Sequence, residues 1–131
     1  MNQVQIQGNL VRDAEVRYTK TGRIVVSFTV AATTVYIVND EQKEQTAFIN
    51  CVAWGKLGEG ASQLQKGNRV FVTGRLATRS YETNDGQKRY ITEVVADFVG
   101  DSLNNTHKNS ASNFDDFGHD AANQKEEEIP F

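Results

Sequence analysis

The side chains in this chain best suited to chemistry are rings and cations rather than nucleophiles. Phe48 and Trp54 stand in the stretch Gln45–Lys56, QTAFINCVAWGK. Successive side chains of an extended strand point to opposite faces, so Phe48, Asn50, Val52 and Trp54 share one face and Ile49, Cys51 and Ala53 the other. The small, apolar face needs a core against it. The face with two large rings around an amide suits a stacking platform for unstacked bases, or a strand buried on both sides, since aromatics are common in buried strands. Further on, Arg75, Arg79 and Tyr81 fall on one side of a second alternating stretch, Lys88 and Arg89 follow a turn, and Lys43 and Lys56 flank the first stretch. Rings for bases and cations for phosphates are the two requirements for holding a single-stranded nucleic acid. The same scattered cations also suit an ordinary solvated surface.

Catalysis finds little support. Both histidines, His107 and His119, lie in the last third of the chain, away from the strands, and Cys51 falls on an apolar face, where a buried cysteine is inert. No glycine cluster has the strand–GxxxxGK[ST]–helix form of a phosphate loop. One cysteine permits neither an intrachain disulfide nor a cysteine-built metal site. His107, His119, Asp115 and Asp116 have the right atoms for a metal but no scaffold to fix their geometry. We therefore expect a binding protein, with no enzymatic activity, no cofactor and no metal.

The elements that must position the rings follow from periodicity. Val4, Ile6, Gly8 and Leu10 alternate with Gln3, Gln5, Gln7 and Asn9, which predicts a half-buried strand with an uncharged outer face, open to edge pairing with a second subunit. Residues 12–23 read as a polar connection with a turn at Thr21–Gly22. A long strand follows over Ile24–Val38, with Ile24, Val26, Phe28 and Val30 toward the core. Strict alternation puts Tyr36 on that same core side, so it reaches the face of Phe48 only through a bulge or bend. Asn39–Glu44 reads as a charged hairpin tip.

After Trp54, Leu57, Ala61 and Leu64 have helical spacing, which predicts a short helix over Leu57–Gln65 despite Gly58 and Gly60. Alternation returns over Arg69–Tyr81, with Val70, Val72, Gly74 and Leu76 inward; Asn84–Asp85–Gly86 is a turn, and Tyr90–Val99 is the last strand. Three strands, a helix and two strands predict an all-β fold: a five-stranded Greek-key barrel of the OB type, with the helix between strands three and four. An SH3-like barrel, with shorter strands, is the alternative.

The chain has 131 residues and a net charge of −3. That charge is unevenly placed. Residues 1–100 carry 12 Lys and Arg against 10 Asp and Glu, and residues 101–131 carry 2 against 7. A mildly basic domain over 1–100 with an acidic tail suggests an anionic partner for the domain and a separate task for the tail. The tail is too poor in apolar residues to offset its ordering entropy and reads as disordered. It closes on Glu126, Glu127, Glu128, Ile129, Pro130 and Phe131, an apolar anchor behind an acidic run, as in a docking peptide. No apolar run reaches the roughly 18 residues of a membrane span, and the first residues lack the basic patch and apolar run of a secretory signal, which points to the cytoplasm.

Four segments together, GNLVRDAEVRYTKTG, KEQTAFINCVAWGKL, KGNRVFVTGRLATRSY and DGQKRYITEVVADFV, closely resemble the bacterial single-stranded DNA-binding protein family, including its phage-encoded members. The ending EEEIPF resembles the family's acidic tip. The resemblance implies an OB domain in each chain of a homotetramer. It implies single-stranded DNA binding with little sequence preference in replication, recombination and repair, and a tail tip that docks onto DNA-processing enzymes. It implies stacking roles for Tyr36, Phe48, Trp54 and Tyr81; family members often carry tryptophan at the first, second and fourth of these and phenylalanine at the third. Lys43, Lys56, Arg75, Arg79, Lys88 and Arg89 are the candidates for phosphate contacts. An OB module for RNA or tRNA, and a barrel serving only as a protein-interaction scaffold, are the competing readings.

Overall fold

The computed structural model describes residues 1–102. The tail from residue 103 onward, with His107, His119, Asp115, Asp116 and the tip Glu126–Phe131, lies outside them. The chain runs β1 (Val4–Leu10), β2 (Glu15–Tyr18), β3 (Ile24–Val38), β4 (Glu41–Trp54), α1 (Gly55–Ala61), β5 (Arg69–Glu82) and β6 (Lys88–Asp101). The strands pair in the order β1-β5-β6-β4-β3-β2, and an extra pairing of β1 with β3 closes β1, β5, β6, β4 and β3 into a five-stranded barrel. This is the all-β barrel with one short helix that the sequence predicts. Among the described residues no helix is long and apolar enough to cross a membrane.

The alternation of β1, β3, β4 and β5 is met by burial. Leu10, Val26, Phe28, Val30, Cys51, Ala53, Val70, Val72, Val94 and Ala96 fill the barrel. Closure is tight where β1 crosses β3. A Cβ on Gly8 would collide with the carbonyl of Ala31, so only a glycine lets these backbones approach.

Three local expectations are corrected. The polar segment 12–23 contains β2, which pairs antiparallel with β3 from Glu15↔Ser27 to Tyr18↔Ile24. Its apolar content is too low to announce a strand, and it forms because β3 offers the free edge beyond the reach of β1. The tip of the β3–β4 hairpin is only Asn39 and Asp40, both with positive φ (52° and 61°). Asn and Asp tolerate that conformation, and a two-residue turn of this hand matches the twist of the flanking strands. Glu41–Glu44 therefore continue β4, opposite Val35–Val38.

The helix spans Gly55–Ala61 rather than Leu57–Gln65. Leu57, Ala61 and Leu64 do pack on the core as their spacing implies, but Leu64 does so from the turn after the helix. Gly58 costs helix propensity and returns contact. A Cβ there would lie 2.6 Å from the carbonyl oxygen of Ala53, so glycine lets the helix rest on β4.

Two of the β-hairpins, β3–β4 and β5–β6, outrun the barrel. From Thr33 to Phe48 every residue of the β3–β4 hairpin is exposed, and from Leu76 the β5–β6 hairpin is largely so. These two-stranded arms are anchored by the barrel at their base. The β5–β6 turn at Thr83–Gln87, with Gly86 at φ 80°, is where Asn84–Asp85–Gly86 places it.

Candidate nucleic-acid interface

Register decides which side chains share a surface. The β3–β4 ladder is unbroken from Val25↔Trp54 through Ala31↔Phe48 to Val38↔Glu41. Because Val26, Phe28, Cys51 and Ala53 face the core, Phe48, Asn50, Val52 and Trp54 face outward with Val25, Ser27, Thr29 and Ala31. Next to β4 lies β6, joined in parallel through Cys51↔Val94 and Val52↔Val95. Val94 is buried, so Val95, Glu93, Ile91 and Arg89 continue the outer face. Antiparallel pairing then adds Arg75, Ala77, Arg79 and Tyr81 of β5, opposite Val95, Glu93, Ile91 and Arg89. One outward face thus gathers Phe48, Trp54, Tyr81, Arg75, Arg79 and Arg89 from three strands. The β4–β6 ladder covers two residue pairs only, so the arms are free to diverge beyond it.

The rings differ in exposure. Phe48 is 67% exposed and has open water around it. Trp54 is 37% exposed, and the Arg23 guanidinium sits over its ring, 5.0 Å from the centroid. Tyr81 is also exposed. Burial on both sides of β4, the competing reading, holds only at Cys51–Ala53, where Val52 is buried on the outer face; Phe48 and Trp54 themselves stay exposed.

The cations divide into four groups, the last of them Lys56 alone. Arg75 and Arg89 lie on the outer face without an ion pair among the described residues. Arg79 also lies there, but its Nε donates to Glu93 Oε1 at 2.9 Å. Glu93 is 8% exposed, so the guanidinium is what satisfies this carboxylate in its low-dielectric place. The Arg79 side chain nevertheless stays 58% exposed. Lys43 and Lys88 form the third group, on the reverse of the arms, where Tyr36 also stands. Lys43 is paired with Tyr36 across the ladder and bridges to Glu41 at 3.4 Å, and Lys88 is opposite Glu82. No bulge interrupts β3–β4, so Tyr36 does not turn onto the face of Phe48. Lys56 stands apart on α1, beside a cleft it shares with Tyr18 and Arg23.

Two arginines on this surface escape a strand-by-strand reading because they sit on loops. Arg12 Nη2 reaches Thr29 Oγ1 at 3.4 Å, and Thr29 in turn donates to Asn50 Oδ1 at 2.9 Å. Arg23 precedes β3 directly. Continuing the outward series Ser27, Val25 one step back places it beside Trp54, a signal already present in the sequence.

Beneath the surface, Cys51 is buried, and that burial together with the nearby Glu93 carboxylate pushes its thiol up to about 12. It stays protonated and is no nucleophile at neutral pH. Among the described residues no group of His, Cys, Asp and Glu is placed to hold a metal.

Residues 1–101 match the model of the single-strand binding protein family. The chain is 40% identical over 116 residues to single-stranded DNA-binding protein 2 of Listeria monocytogenes, covering 86% of this chain and 72% of that protein. It is 39% identical over 120 residues to the single-stranded DNA-binding protein of Halalkalibacterium halodurans, covering 90% and 71%. Against the single-stranded DNA-binding protein of Bacillus cereus it is 43% identical over 100 residues, 76% of this chain and 58% of the other. With its closed barrel, its outward rings and this match over most of its length, the chain belongs to the single-strand binding protein family, whose members are binding proteins rather than enzymes.

Proposed function

We infer that this chain binds single-stranded DNA with little sequence preference and serves replication, recombination and repair in a bacterial cytoplasm. The observation that carries the reading is the outward face on which Phe48, Trp54 and Tyr81 stand among Arg75, Arg79 and Arg89. Bases stack on the rings, which every base can do, and the arginines follow the phosphates. Lys56 continues the phosphate track at the helix. Tyr36, Lys43 and Lys88 take part where the strand turns over the edge of an arm onto its reverse.

The functional unit in this reading is a homotetramer. Support comes from the outer side of β1, where Gln5 and Gln7 lie beside Thr73 and Phe71, with Phe98 next in the row. Uncharged amides around two exposed rings suit contact with a second copy better than contact with water alone. The tail tip Glu126–Phe131 docks onto replication, recombination and repair enzymes, the glutamates speeding encounter with a basic surface and Phe131 supplying a ring and a carboxylate.

The test is a titration of the full chain with oligo(dT), followed by Trp54 fluorescence and by sedimentation, with an RNA oligomer of equal length as competitor. Quenching, a tetramer mass and weak competition are expected. Equal competition would move the reading to RNA, and unchanged fluorescence with no co-sedimentation would end it.

A further inference from the structure

We propose that Arg23 is a strand-binding residue whose guanidinium yields the Trp54 ring to an incoming base and takes the phosphate beside it. This inference rests on the single-stranded DNA reading above and extends its path past Trp54, over the turn between β2 and β3.

Three observations converge on it. The guanidinium covers one face of Trp54, so a base approaching from that side meets Arg23 first. A cation–π contact at an exposed site is weaker than a base–aromatic stack, so the base displaces the arginine rather than the reverse. The displaced charge has somewhere to go. Arg23, Lys56 and Glu59 line an open cleft of about 350 Å³ with Tyr18, Ile24 and Gly55, the residue that follows Trp54. Two cations there, Arg23 and Lys56, have no ion pair among the described residues, although Glu59 stands on the same rim. The neighbouring Arg17, on the same face through its pairing with Val25, is by contrast already held by Glu15 at 2.8 Å.

The backbone is suited to this exchange. Thr19 N–H donates to the Arg23 carbonyl at 2.8 Å, Gly22 N–H to the Thr19 carbonyl at 2.9 Å, and Arg23 N–H to Thr19 Oγ1 at 3.0 Å. These bonds hold the Cα of Arg23 still, so the side chain alone moves from ring to phosphate. The displacement loses no charge compensation, because Arg23 has no carboxylate to leave behind.

Trp54 is the single tryptophan of the chain, which makes it a clean reporter. The experiment titrates the full-length protein with oligo(dT) over a range of salt, comparing wild type, Arg23→Gln, Arg23→Lys and Arg17→Gln. Acrylamide quenching of Trp54 is measured before and after saturation. Arg23→Gln should expose Trp54 to acrylamide before DNA is added. It should also bind about fivefold to tenfold more weakly near ~0.05 M salt, with a log–log salt slope shallower by about 0.7, as expected for one lost phosphate contact on a single strand. Arg23→Lys should keep the wild-type slope, and Arg17→Gln should leave both affinity and slope unchanged. Equal or tighter binding by Arg23→Gln with the wild-type slope would mean that Arg23 only shields the ring, and would overturn the inference while the DNA reading stands. A wild type that neither binds oligo(dT) nor shows Trp54 quenching would overturn both.

Discussion

The two hairpin arms share a construction and differ in chemistry. On its outward face the β3–β4 arm carries Thr33, Val35, Ile37, Gln42, Glu44, Thr46 and Phe48: apolar groups, small polar ones and a single charge, which is negative. The β5–β6 arm carries Arg75, Arg79, Tyr81, Arg89 and Ile91 there, with Glu93 tucked beneath Arg79. Under the proposed function the first arm contributes stacking through Phe48, and the second contributes most of the phosphate contacts along with the ring of Tyr81. In that division salt should act on the second arm, because counterion release follows charge, while the stacking arm should be nearly blind to it.

The largest expected effect falls on the ground the arms share. Cys51 lies in the core at the point where β4 meets β6, and its thiol is raised from 9.0 to about 12. The unfolded thiol ionises first as pH rises, so the contribution of this group is complete below pH 9 and falls away between about 9 and 12. That amounts to at most about 4 kcal/mol over the whole interval, at 1.36 kcal/mol per unit. Urea unfolding at pH 8 and pH 11, read by circular dichroism, should show the fall, and Cys51→Ala should flatten it. A wild-type loss that Cys51→Ala leaves intact would assign it to other groups.

Next comes the stacking arm. Phe48→Ala should weaken oligo(dT) binding by about 1–3 kcal/mol, with the salt slope preserved. Because the ring is exposed, stability should change by no more than about 0.5 kcal/mol. A slope that falls with Phe48 would erase the distinction between the arms.

The basic arm is sharpened by two substitutions that look alike and should not behave alike. Arg89→Gln and Arg79→Gln should each reduce the salt slope by about 0.7. Arg79→Gln should in addition lower stability by about 1–2 kcal/mol, because it strips Glu93 of its cation, a cost reduced by the exposure of the arginine. Equal stabilities for the two variants, measured by urea unfolding, would show that Glu93 finds another partner.

The smallest effect is expected on the reverse of the stacking arm. Tyr36→Ala should cost about 1 kcal/mol or less with an oligomer of roughly 30 nucleotides and nothing with one of about 8, since only a strand longer than a single OB site reaches the reverse face. A loss with the short oligomer equal to that of Phe48→Ala would put both faces of the arm in the first binding step.

Much of this molecule follows from the sequence alone, and for one reason: alternation in a strand is local. The inward series Val26, Phe28, Val30 and the outward pair Phe48, Trp54 need no partner to be assigned, since period two is a property of the backbone itself. The same rule puts Tyr36 opposite Phe48, and the unbroken ladder keeps it there. Family membership is legible too, carried by four long segments rather than one short motif. What the tertiary structure alone decided are relations between distant residues. Strand β2 exists because β3 leaves an edge for it. The rings of β4 join the arginines of β5 on one surface because β6 pairs in parallel with β4 through two residues, a register that no local pattern specifies. Arg79 acquires Glu93 only through the β5–β6 register, and Gly58 acquires the Ala53 carbonyl that justifies it only where α1 folds back on β4. Local periodicity chooses the face of a side chain; closure of the sheet chooses its neighbours.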